Sequence, residues 1–359
     1  MTSLAGYPST TAARRDDRAI GLWLFACAAM VFAMVVIGGA TRLTESGLSI
    51  VVWEPVTGFV PPFGDAEWHR VFNLYKQSPE YRKVNAGMTL ADFKAIYWWE
   101  FVHRVWGRLI GVVFLVPFVW FLLRGRISRA LAPRLTLLFV LGGLQGALGW
   151  YMVQSGLSDV PEVSQYRLTA HLSLALVIHA ALLWTAMTLV LSPPQAIADR
   201  RHAGARRHAD VALALIALTI VAGGFVAGTD AGLSYNTFPL MDGRIVPPGY
   251  MDGGWIAPFE NIATIQFHHR VLAIATLAVA LVTWWQTRWL VLAPRGRMAA
   301  SLFVAMALLQ VALGISTLLL EVPVSLGVAH QGGAVILLSL ALWLRFELRG
   351  PALPATWRA

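Results

Sequence analysis

Long apolar runs separated by short polar connections dominate the chain, and eight of them are long enough to cross a bilayer as helices. They fall near 20–39, 99–123, 135–153, 168–191, 210–228, 263–287, 299–320 and 325–345. The first run follows Arg14, Arg15 and Arg18, as a signal peptide would, but carries no convincing cleavage site and reads as the first span. The connections are uneven. The one at 40–98 opens with VVWEPVTGFVPPFGD and continues as a polar, helix-like stretch around 66–94. A connection of that length carries structure of its own or a function. The pattern predicts an all-α membrane protein in a lipid bilayer.

The two halves of the chain match each other. GGATRLTESGLS at 38–49 aligns with GGFVAGTDAGLS at 223–234, EFVHR at 100–104 with QFHHR at 266–270, and LQGALG at 144–149 with LQVALG at 309–314. His171 then corresponds to His330. Four spans return a chain to the side it started from, so the copies are parallel. The expected architecture is two pseudo-symmetric four-helix bundles. The N-terminal bundle covers 20–191 and the C-terminal one 210–345, with a tail at 1–19, a linker at 192–209 and a tail at 346–359.

Charge fixes the orientation. The N-terminus, the connections at 124–134, 192–209 and 288–298 and the C-terminal end, with adjoining helix ends, hold 17 Arg against 5 acidic residues. The other side holds 11 Lys plus Arg against 14 acidic residues. Both termini are therefore expected in the cytoplasm. This placement accounts for the net charge of +9 without nucleic acid as a partner. With 57% hydrophobic and 13% charged residues the chain is outside the range of soluble domains. Its single cysteine, Cys27, excludes an internal disulfide or a cysteine-built metal site. The absence of an Arg-rich amphipathic leader favours a bacterial protein of the inner membrane.

The candidate chemistry is concentrated in WWEFVHRVWGRLIG, Trp98 to Gly111, which puts Glu100, His103 and Arg104 at the start of an apolar run. Ionisable groups there are costly without partners. Gly107 and Gly111 leave a surface that a helix or a flat ligand can approach. The repeat selects four histidines, His103, His171, His269 and His330, each early in an even-numbered span and all expected at one depth in the outer half of the membrane. Two imidazoles on facing helices suit the two faces of a haem. A lone core histidine is the competing explanation, which four matched positions disfavour. His179, deeper in its helix, reads as a core hydrogen-bonding residue, and His268 points away from His269. Arg104 and Arg270 follow the ligand candidates and suit haem propionates or simple snorkelling. Glu100 becomes Gln266 in the second copy, which suggests chemistry in the first and electron transfer in the second.

These motifs together resemble the haem A synthase family over about 20–345. The resemblance implies a membrane oxidoreductase that converts a methyl group of haem O into the formyl group of haem A for terminal oxidases. Water supplies oxygen in two successive hydroxylations, and dehydration follows. It implies haem b as cofactor on His269 and His330, with Arg270 beside it, substrate haem O on His103 and His171, and Glu100 as the catalytic carboxylate. Haem O synthase and a quinone or other electron acceptor are the implied partners. Some members carry cysteine pairs in the outer loops, and this chain has none. The competing class is a dihaem b-type cytochrome subunit, which explains the histidines but not Glu100 in one copy only.

Overall fold

The computed structural model describes residues 10–54, 58–157, 163–192 and 200–349. In chain order its α-helices are α1 (Thr10–Leu43), α2 (Gly64–Tyr75), α3 (Pro79–Lys83), α4 (Leu90–Leu123), α5 (Ala132–Gly156), α6 (Gln165–Val190), α7 (Arg200–Gly228), α8 (Ala257–Glu260), α9 (Ile262–Thr287), α10 (Pro294–Leu319) and α11 (Val324–Glu347). All but α2, α3 and α8 are long and apolar enough to cross a membrane, eight in total among the described residues. No strand is present among those residues. The all-α membrane expectation therefore holds.

Several boundaries differ from the sequence reading. α1 begins at Thr10, inside the expected tail, and α7 begins at Arg200, so the end of the expected linker is helix. Residues 1–9, 193–199 and 350–359 of the expected tails and linker lie outside the described residues. The largest difference is α4, which starts at Leu90 rather than near 99. A capping box explains it. Thr89 accepts from the Asp92 amide at 3.2 Å and the Asp92 carboxylate accepts from the Thr89 amide at 3.2 Å, satisfying two donors that a helix start otherwise strands. His103 consequently lies several turns into its helix, whereas His171, His269 and His330 lie near the starts of theirs.

The extra turns of α4 carry a cap built with α2. Trp68, Phe72 and Tyr75 of α2 are buried against Phe93 and Tyr97 of α4. Phe93 stacks on Phe72 and Tyr75, with ring centres 4.9 and 5.1 Å apart. Each such ring removes roughly 150–250 Å² from water, which stabilises the cap far more than its exposed Glu67–Arg70 ion pair can.

Helices α1, α4, α5 and α6 form one closed set of contacts, and α7, α9, α10 and α11 form the matching set. Across the boundary α1 meets α11, α6 meets α7, and α6 meets α11. Exchanging each helix for its repeat partner leaves this list unchanged. Polar ties also cross the boundary: Arg42 to Asp230 at 3.0 Å, the Gln331 side-chain amide to the Val35 carbonyl at 2.8 Å, and His179 Nε2 with the Ser339 hydroxyl at 2.9 Å. The second nitrogen of His179 faces the Ala28 carbonyl at 3.1 Å, so this residue is the core hydrogen-bonding histidine expected of it.

Candidate functional site

Each of the four matched histidines meets a glycine of a neighbouring helix. A Cβ on Gly38 of α1 would lie 3.2 Å from His103 Nε2, and one on Gly223 of α7 would lie 3.1 Å from His269 Cε1. A Cβ on Gly149 of α5 would lie 2.9 Å from His171 Cε1, and one on Gly314 of α10 would lie 2.8 Å from His330 Cε1. Gly38 with Gly223, and Gly149 with Gly314, are aligned pairs of the repeat. At Gly149 and Gly314 a Cβ would force the ring to shift, and at Gly38 and Gly223 it would press on the ring more tightly than ordinary contact. The repeat therefore duplicates the seat of each imidazole as well as the imidazole.

Further bonds hold the rings. His269 Nδ1 faces the Thr219 carbonyl at 3.1 Å, which favours a proton on Nδ1 and leaves Nε2 for a metal. Gln310 donates to the His330 carbonyl at 2.8 Å and its amide nitrogen is 3.1 Å from His330 Nδ1. Its repeat partner Gln145 donates to the His171 carbonyl at 3.0 Å. The sequence reading passed over both glutamines, although LQGALG and LQVALG display them at one position.

The two histidines of the second copy lie close together. The rings of His269 and His330 have centres 6.4 Å apart and an interplanar angle of 83°. Two imidazoles bound to one metal from opposite sides, through bonds of about 2.0 Å each, bring their ring centres to roughly 6 Å. In the first copy His103 and His171 lie within electrostatic reach of one another, and His171 Nδ1 is a buried atom with no hydrogen-bond partner. Among the described residues no three His, Cys, Asp or Glu side chains converge, so the histidines stand as pairs. These donors fit haem. Of the two small residues expected to admit a neighbour, Gly107 faces the Met34 methyl of α1, 3.3 Å from a Cβ placed there, and Gly111 faces open space.

Glu100 is 2% exposed and fully engaged. One carboxylate oxygen accepts from the Ser49 hydroxyl and the Ile50 amide, both at 2.7 Å. The other accepts from Arg104 at 2.9 and 2.5 Å. Arg104 also donates to the Ile50 and Val52 carbonyls at 2.7 and 3.1 Å, so its expected carboxylate partner turns out to be Glu100. The second copy repeats the clamp with reversed polarity. Gln266 donates to the Ala231 carbonyl at 2.8 Å and to the Ser234 carbonyl, and accepts from Arg270 at 3.1 Å. Arg270 donates to the Tyr235 and Thr237 carbonyls at 2.7 and 2.8 Å, while its Nε is buried without a partner. His268 contacts Tyr250 at 3.2 Å, away from the His269–His330 pair.

Eight membrane-length helices, with two histidines set against glycines in each half, define a polytopic membrane protein with a duplicated histidine site. The chain belongs to the cytochrome oxidase assembly protein family, whose model matches residues 21–342. It is 52% identical to a protein named Heme A synthase from Paramagnetospirillum magneticum, over 97% of this chain and 99% of that one. It is 49% identical to the Heme A synthase of Nitrosospira multiformis over 93% of this chain and 94% of the relative. It is 50% identical to that of Rhodospirillum centenum over 99% and 95%.

Proposed function

We infer that this protein is a haem A synthase, an oxidoreductase that converts a methyl group of haem O into the formyl group of haem A. The observation that carries this reading is the contrast between two otherwise matched histidine seats, one with a buried carboxylate and one with an amide. The relatives' names support it over an electron-carrying cytochrome. Two bundles related by a two-fold axis along the membrane normal accord with the contact pattern, and the arginine distribution supports both termini in the cytoplasm. For a bacterial chain the membrane is the inner one.

In this assignment His103 and His171 hold the iron of substrate haem O and fix its edge beside α4. His269 and His330 hold haem b, and Arg270 keeps one buried donor, Nε, for a haem carboxylate. Haem b supplies a one-electron carrier between the substrate and an external acceptor such as a quinone. Each hydroxylation breaks one C–H bond, forms one C–O bond to water oxygen, and releases two electrons and two protons. Two rounds give a gem-diol, which loses water to leave the aldehyde. Glu100 contributes fixed negative charge beside the carbon as it becomes electron-poor. Its bonds to Ser49, Ile50 and Arg104 keep that charge in place without reorganisation. Haem O synthase, as the source of the substrate, is the natural partner.

The test is incubation of the purified holoprotein with haem O and an electron acceptor, followed by extraction and mass analysis of the haems. Haem A is the expected product. A preparation that holds haem b, binds haem O and forms no haem A would leave the electron-carrier class in its place.

A further inference from the structure

The reaction assigned above releases protons beside Glu100, whose two oxygens are already engaged by Ser49, Ile50 and Arg104. Another carboxylate lies nearby in the cap. Glu80 of α3 is 6% exposed, a degree of burial that carboxylates rarely reach. Its Oε2 is buried and has no hydrogen-bond partner, while the Tyr75 hydroxyl of α2 bonds the same carboxyl group. Tyr75 is itself fully buried and accepts from the Asn85 amide at 2.8 Å. The charges that act on Glu80 are both negative, Glu100 from α4 and Glu45 from the loop after α1. Burial first, and these charges next, push its carboxyl up to about 7 from an ordinary value of 4.5, with the Tyr75 bond opposing them. Such a group exchanges a proton near neutrality.

The surroundings of Glu100 carry more hydroxyls than those of its repeat partner Gln266. Between Glu100 and the exposed Glu45 the chain places Ser49 and Ser46, 2% and 0% exposed, with the Ser46 hydroxyl 2.7 Å from that of Thr44. In the second copy Ser46 aligns with Ala231, Thr41 with Val226, and Glu100 with Gln266. Among the described residues that copy also has no counterpart of the aromatic cluster formed by Trp68, Phe72, Tyr75, Phe93 and Tyr97. Two hydroxyls, those of Ser46 and Thr41, therefore accompany Glu100 and are absent beside Gln266, whereas Thr44, Glu45 and Ser49 keep counterparts in Thr229, Asp230 and Ser234.

We propose that Glu80 is a proton-transfer group of this protein, taking up protons displaced from the neighbourhood of Glu100 and passing them to water at the outer surface. The proposal rests on the haem A synthase reading and concerns only the protons; the electrons leave by way of the acceptor. Glu80 accepts in its ionised form, so turnover of haem O should rise with pH through about 7.

The experiment uses the holoprotein with haem b bound, supplied with haem O and an electron acceptor across that pH range. Glu80→Gln should lower turnover on the order of tenfold at alkaline pH, less than the hundredfold or more of a group that abstracts the proton directly. It should also flatten the pH profile, leave the haem b spectrum intact, and be partly rescued by Glu80→Asp. Infrared difference spectra of the wild type should contain a protonated-carboxyl band that disappears as pH rises through about 7 and is missing from Glu80→Gln. A Glu80→Gln enzyme with wild-type rate and pH profile would overturn the relay while leaving the haem A synthase reading intact. So would a wild type without the titrating band, a measurement that holds even if the variant fails to fold. A wild type that forms no haem A overturns the enzyme reading itself.

Discussion

The two copies clamp corresponding loops with opposite chemistry. In the first, Glu100 is an acceptor: it takes the Ile50 amide and the Ser49 hydroxyl on one oxygen and Arg104 on the other. In the second, Gln266 donates to the Ala231 and Ser234 carbonyls. Both keep a helix-borne arginine four residues on, bonded to the carbonyls of the same loop. An amide at the first position, in the orientation of the second, would therefore present a donor where Ile50 also presents one. The lesson is that a Glu-to-Gln difference here is more than a change of charge. Each residue is matched to the direction of the backbone dipoles around it, so neither is a passive substitute for the other.

The comparison is broken most severely by removing a ligand. His330→Ala deletes one imidazole of the 6.4 Å pair, and haem b should be lost from the purified protein. His103→Ala should leave haem b in place and abolish haem O binding, as read from absorption spectra of the two preparations. Loss of haem b from His103→Ala would show that the copies are not assigned as proposed. Next in size is Glu100→Ala. It leaves both ligand pairs intact but removes the charge and the loop clamp, so haem A formation should fall by about a hundredfold or more while haem b content stays normal. Normal turnover would remove Glu100 from the chemistry.

A smaller effect separates the copies by pH. The carboxyl of Glu80 titrates at about 7 in the folded cap against 4.5 ordinarily, so the folded form binds its proton more tightly. The stabilisation is fully present below 4.5 and is lost as pH rises through 7, a change of about 3 kcal/mol across the interval. Hydrogen exchange should report faster opening of 64–83 at alkaline pH, with no such change around α8. Glu80→Gln should abolish the dependence. The mildest test is Gly314→Ala, which places a methyl carbon 2.8 Å from His330 Cε1. Displacing the ring should cost about 1–3 kcal/mol and reduce haem b retention. Gly149→Ala should do the same to haem O binding. Equal retention by both variants would mean that the glycines do not seat the rings.

What was legible in the sequence followed from signals carried by single stretches or by their repetition. Apolar runs reveal eight spans because the bilayer demands about twenty apolar residues from each. His103, His171, His269 and His330 emerge because the chain can be compared with itself. The bonding of Glu100 was illegible, since its partners Ser49 and Ile50 are some fifty residues away and join it only through packing. Glu80 gave no signal either. It sits in PEYRK, a short polar segment whose composition says surface, and it is buried beside the aromatic cluster that α2 and α4 build from residues distant in sequence. The early start of α4 was marked by Thr89 and Asp92, but the polar stretch around them hides the boundary. The glycines were visible as repeated letters whose purpose required knowing what lies opposite.

The glycine seats also bear on how strongly each half retains its ligand. A ring wedged between a backbone and a hydrogen bond has few rotamers left, so its freedom is lost when the chain folds and not when a ligand arrives. At roughly 0.5–1.5 kcal/mol for each side chain that binding would otherwise immobilise, two such rings lend a flat ligand on the order of tenfold in residence time or more. In the copy assigned to a permanent cofactor this is a straightforward gain. In the copy assigned to a substrate the device is incomplete, because the glycine is there but the His171 Nδ1 has no hydrogen-bond partner, so that ring keeps more freedom and opposes product escape less.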